Sequence, residues 1–117
     1  MEIIDDYIET GDPFEVMDKL KDAAELIGLG YIYLRVGRTN DPERRAEELH
    51  REYGIPENAI MFLLYKTSSV EHVMEVEKEL HEFLCEIQKR CAFNYAHDSR
   101  GNYNEGENQY VYIVAWY

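Results

Sequence analysis

The stretch VGRTNDPERR, Val36 to Arg45, reads as a strand end, a turn and a helix start in a single run. Upstream, Tyr31 to Val36 is β-prone and stops at Gly37. Downstream, Asp41 suits a helix cap and Pro42 the first helical position, where a missing N–H costs nothing and φ is already helical. The helix should run from about Pro42 to Tyr53, with Gly54 as its stop. A strand that feeds a helix through a glycine turn sets the unit from which the rest is read.

Further along, Ala59 to Tyr65 (AIMFLLY) is nearly all apolar and belongs in the middle of a covered sheet. Ser69, with Glu71 and His72 behind it, opens a helix that reaches about Lys89. Asn94 to Asn108 is polar and rich in Asn and Gly, a loop. Gln109 to Tyr117 (QYVYIVAWY) is a closing strand. Towards the N-terminus, Asp12 and Pro13 repeat the cap-then-proline signal, and Glu15 completes a D-x-x-E box. Phe14, Met17, Leu20, Ala24 and Ile27 then follow helical spacing up to Gly28. The order α-β-α-β-α-β predicts a small α/β (α+β) fold, a mainly antiparallel three-stranded sheet flanked by three helices. One domain spans 1–117: an acidic helical extension over 1–28, a core over 29–90, and a loop with the closing strand over 91–117.

The 117 residues are 45% apolar, which suffices for a core and argues against a disordered chain. Twelve bases against 24 acids give a net charge of -12. Tight, extended nucleic-acid binding by a basic surface is therefore not expected. The charge is regional, however: -7 over residues 1–28, zero over 29–66 and -5 over 67–117. Five of the 12 bases are arginines between Arg35 and Arg51, and a phosphate needs only a few placed cations. No apolar run approaches the roughly 20 residues that span a bilayer, so no membrane role is expected. The acidic start MEIIDDYIETGD lacks the layout of a signal peptide. The expected location is the cytoplasm, or the host cytoplasm for a viral protein. Cys85 and Cys91 fit no zinc pattern and read as reduced thiols, with a disulfide as the alternative for a thermophile's protein.

Two residues stand out on periodicity. Glu77 lies four after Val73, three after Met74 and three before Leu80, in a stripe that also holds Val70, Leu84 and Ile87. It points along an apolar seam. A carboxylate there needs a cation, a metal or a proton. One carboxylate is enough for Mg²⁺, and a structural ion pair with an arginine is the alternative. Arg45, four before Leu49, lies on the inward side of its helix. It suits a phosphate clamp or a pair with Glu48. His81 shares a face with Glu77, and the alternative for it is a surface histidine. His50 and His72 read as helix residues, and His97 falls in the polar loop.

VGRTNDPERR resembles the second motif of the GIY-YIG nucleases, with Gly37, Thr39 and Arg45 in the motif positions. EVEKELHEFL, Glu75 to Leu84, is similar to the E-K-x-L-H segment of the phage- and virus-type branch. Together they cover about half the chain. The resemblance implies a three-stranded sheet with helices and hydrolysis of DNA phosphodiesters with one Mg²⁺ or Mn²⁺. It implies Arg45 as phosphate clamp, Glu77 as metal ligand and a strand tyrosine for the proton. Gly37 belongs to the same phosphate site; by position alone, Arg35 and Arg38 add positive charge near that strand end, and His81, on the face of Glu77, joins the catalytic candidates. The family's opening G-x-Y strand is missing here, because Tyr31 and Tyr33 run straight into Gly37. QYVYIVAWY can supply it by pairing beside Tyr31–Gly37, a circular permutation that makes Tyr110 or Tyr112 the catalytic tyrosine. Otherwise Tyr31 or Tyr33 must serve. Three readings stay open: a DNA endonuclease, with a homodimer as one way to cut both strands; an inactive acidic protein that binds or inhibits a basic partner such as a nucleic-acid enzyme; and a structural domain.

Overall fold

The computed structural model describes residues 1–88 and 107–117. Its elements are β1 (Glu2–Ile4), α1 (Pro13–Gly30), β2 (Tyr33–Thr39), α2 (Pro42–Tyr53), β3 (Ile60–Thr67), α3 (Val70–Gln88) and β4 (Gln109–Trp116). They form one four-stranded sheet in the order β1-β3-β4-β2. β4 is antiparallel to both β3 and β2, and β1 is parallel to β3. The sheet is mixed and has four strands where the sequence predicted three. β1 escaped detection because three residues in an acidic stretch carry no alternation. Its pairing with β3, Glu2 opposite Ile60 and Ile4 opposite Phe62, is what defines it.

The apolar runs of β3 and β4 follow from this order, since both are inner strands with covered faces. Val111, Ile113 and Ala115 of β4 join a core with α1 and α3. Tyr112 and Val114 join a second core with Ala46 and Leu49 of α2. The sheet thus has α1 and α3 on one face and α2 on the other. α1 lends Met17, Leu20 and Ala24 to the first core. Residues before α1 are fixed to β3: Glu9 N–H donates to the Leu64 carbonyl at 2.8 Å, and the Tyr65 hydroxyl donates to the Gly11 carbonyl.

Several local expectations shift. On α3 the buried stripe is Val73, Val76, Leu80 and Leu84, with Met74 and Ile87 exposed. Phe14 fits the spacing of α1 but is 91% exposed, because it sits in the first turn beyond the sheet's cover. α1 runs through a buried Gly28 to Gly30. Cys85 is disulfide-bonded, which corrects the reading of two reduced thiols, and Cys91 lies outside the described residues. So do Lys89, His97 and the expected loop up to residue 106. Among the described residues no helix is long and apolar enough to cross a membrane.

Candidate phosphate site at the end of the glycine strand

Thr39 and Asp41 build the turn that aims the site. The Thr39 hydroxyl donates to the Asp41 carbonyl at 3.1 Å and accepts from the Asp41 N–H at 3.0 Å. The Asp41 carboxylate accepts from the Arg44 N–H at 3.2 Å, capping α2. This holds Arg45, in the first turns of α2, against the sheet.

Gly37 of β2 sits directly opposite Tyr112 of β4. A Cβ on Gly37 would lie 2.3 Å from the Tyr112 hydroxyl oxygen and 2.5 Å from Cζ. The tyrosine ring therefore lies over the glycine, and no other residue leaves it room. Tyr112 is fully buried, and its hydroxyl accepts from Arg45 Nε at 3.2 Å. Arg45 Nη1 also donates to Glu48 at 3.1 Å. Burial pushes the Tyr112 phenol up, against the lowering pull of Arg45, so it is neutral at ordinary pH. Burial opposes the charge of Arg45, but Tyr112 and Glu48 outweigh it and hold the guanidinium ionised. Tyr112→Phe should free Arg45 from the sheet and weaken phosphate binding several-fold with little loss of stability, measured by anisotropy of a labelled DNA duplex.

Arg35 lies two residues before Gly37 and so on the same face. It is buried, and its guanidinium carbon is 4.5 Å from the centroid of the Tyr53 ring. Arg45 approaches the same ring at 5.5 Å. Tyr53 is a member of this cluster that sequence reasoning missed. The available signal was its place two turns after Arg45, at the end of the same helix.

Strand alternation sends Arg38 to the opposite face, into α3. There Arg38 Nη1 meets Glu77 Oε1 at 2.5 Å, with side-chain exposures of 5% and 3%. Glu77 is buried on the seam, as its spacing predicted, and its cation in this structure is an arginine. The Glu77 charge still reaches Tyr112 and raises its pKa. Held this way, Glu77 does not fit a divalent ion, because the Arg38 guanidinium stands where a dication would bind. Among the described residues no three or more His, Cys, Asp or Glu side chains form a metal cluster.

The remaining candidates lie elsewhere. Tyr31 precedes β2 at its far end and packs on Phe62 and Tyr117. Tyr33 is 43% exposed and stacks on Trp116. His81 Nε2 is 3.2 Å from Cys85 Sγ, one turn beyond Glu77. His50 Nδ1 is 2.7 Å from the Ile55 carbonyl oxygen and secures the turn after α2. The structure thus joins Arg35, Gly37, Arg45 and Tyr112 on one face and Arg38 with Glu77 on the other. It leaves Tyr31, Tyr33 and His81 outside both groups.

Fold and site together define a small α+β domain with a cluster of two arginines and two tyrosines where the glycine strand meets the next helix. The chain belongs to the T5orf172 domain family, which matches residues 17–114. That span runs from the first half of α1 into β4 and includes Arg35, Gly37, Arg45, Tyr53 and Tyr112. No curated protein and no solved structure matches the chain.

Proposed function

We propose that this domain is a GIY-YIG-like endonuclease unit that acts on the phosphodiester backbone of DNA. The observation that carries the reading is the Arg45–Tyr112 contact over Gly37, at 3.2 Å. The T5orf172 family supports it, as a phage-type domain associated with endonucleases. β4 supports it too, since it pairs along the whole of β2 and sets Tyr112 opposite Gly37, the arrangement a permuted sheet requires.

In hydrolysis a water oxygen forms a new bond to phosphorus and gives up one proton to solvent, while the bridging P–O bond breaks and the leaving oxygen takes a proton from solvent. Arg45 offsets the negative charge that grows on the phosphoryl oxygens, and Arg35 adds positive charge behind it. Tyr112 is enclosed, so its part is to hold Arg45 at a fixed angle through Nε. Mg²⁺ or Mn²⁺ is the expected cofactor class, and Glu77 would take such an ion only after Arg38 leaves it. DNA binding by this domain alone is weak and salt-sensitive, given a net charge of -12. A second copy or an added domain would supply the rest.

The test is supercoiled plasmid incubated with the protein and Mg²⁺ or Mn²⁺. Nicked or linear product is expected from wild type, and at least 100-fold less from a folded Arg45→Ala variant. Intact plasmid in every arm rejects the reading. The buried Arg38–Glu77 pair favours a second one, an inactive domain that uses its acidic faces to bind a basic protein partner. That reading predicts intact plasmid together with complex formation that salt weakens.

A further inference from the structure

Arg35 differs from the other arginines of β2 and the first turns of α2 in its pairing. Arg45 donates to Glu48, Arg44 lies 3.4 Å from Glu48, and Arg38 holds Glu77. Arg35 is 8% exposed, faces the Tyr53 ring at 4.5 Å, and has no carboxylate partner among the described residues. Its Nη2 is buried without any hydrogen-bond partner. An arginine cannot neutralise itself at any ordinary pH. Burying it unpaired is a standing cost that a structural role does not explain, because an apolar side chain would fill the same space more favourably.

We propose that Arg35 is a preformed oxyanion subsite, with Tyr53 as its movable cover, and that its ligand is a phosphate group of a nucleic-acid backbone. This rests on the phosphate-binding reading of the same cluster and gives Arg35 a task separate from that of Arg45. Arg45 already directs Nε to Tyr112 and Nη1 to Glu48, whereas Arg35 keeps a buried Nη2 with no hydrogen-bond partner. Tyr53 is 39% exposed, is the last residue of α2 and packs its ring on the buried Arg35 guanidinium. The next residue, Gly54, has φ +70°, a left-handed turn that lets the chain leave the helix at once. Swinging the Tyr53 ring aside exchanges a cation–π contact for charge-assisted hydrogen bonds to the anion, which are the stronger interaction.

The test uses the whole chain, inorganic phosphate at low millimolar concentration, and chloride at equal ionic strength as control. Phosphate is expected to raise the melting temperature of wild type, as any ligand of the folded state does. Arg35→Met should lose that rise and melt no lower than wild type without phosphate, since a buried unpaired cation has been removed. Tyr53→Ala should bind phosphate at least threefold more tightly, and Tyr53→Phe should match wild type. In ¹⁵N-labelled wild type the Arg35 Nε–H signal should move during the titration. The proposal is overturned if Arg35→Met melts lower or fails to fold, if its phosphate response equals that of wild type, or if the Arg35 signal stays still. Plasmid left intact beside a normal phosphate response would reject nuclease activity and keep the subsite.

Discussion

Gly37→Ala is expected to destabilise the domain by about 3 kcal/mol or more, at the top of the range for overpacking a closed core. The added methyl would sit 2.3 Å from the Tyr112 hydroxyl oxygen and 2.5 Å from Cζ. Tyr112 has no room to retreat, because it is fully buried against Ala46, Leu49 and Met61. Either the ring or the β2–β4 pairing must give way. Urea unfolding followed by tryptophan fluorescence measures the loss, and Trp116 at the end of β4 is the only tryptophan. Tyr112→Phe should rescue little, because Cζ remains in place. Tyr112→Val should recover part of the stability by removing the ring. A Gly37→Ala protein as stable as wild type would show that the ring does not lie over the glycine.

Breaking the Arg38–Glu77 pair should cost as much. Glu77→Ala leaves a buried guanidinium and Arg38→Ala leaves a buried carboxylate. Losing one partner of such a pair costs about 3–5 kcal/mol. Replacing both, as Arg38→Met with Glu77→Leu, should return the protein to within about 1 kcal/mol of wild type, because neither charge is then stranded. A double-mutant cycle on urea midpoints reads the coupling. Single variants that lose under 1 kcal/mol would mean that the pair is wet and exchangeable. The same outcome would make Glu77 easier to reach for a divalent ion.

Helix starts were the most legible part of the chain. Asp12 with Pro13 and Asp41 with Pro42 cap α1 and α2 where the sequence placed them, because capping is a local hydrogen-bond problem. α2 matches its predicted span, from Pro42 to the Gly54 stop. Burial of Glu77 was also legible, since helical spacing decides it. The identity of its partner was not, because Arg38 meets it across 39 residues of sequence. Strand alternation divides the motif in a way that a linear reading hides. Gly37 and Arg38 are neighbours in the chain, yet they serve opposite faces of the sheet. β1 was lost for a related reason, as only its pairing to β3 gives it meaning. Tyr53 was passed over because a tyrosine at a helix end has no signature until two arginines are seen against it.

If the Gly37–Arg45 region is a phosphate site, DNA must contact the protein where the glycine strand meets α2. Amide chemical-shift mapping of the ¹⁵N-labelled protein, titrated with a short DNA duplex at low salt, tests this directly. The predicted result is a set of shifts concentrated at Arg35, Gly37, Arg45 and Gly54, absent from a folded Arg45→Ala variant. Shifts spread over the acidic outer surface of α1, or none at all, would contradict it.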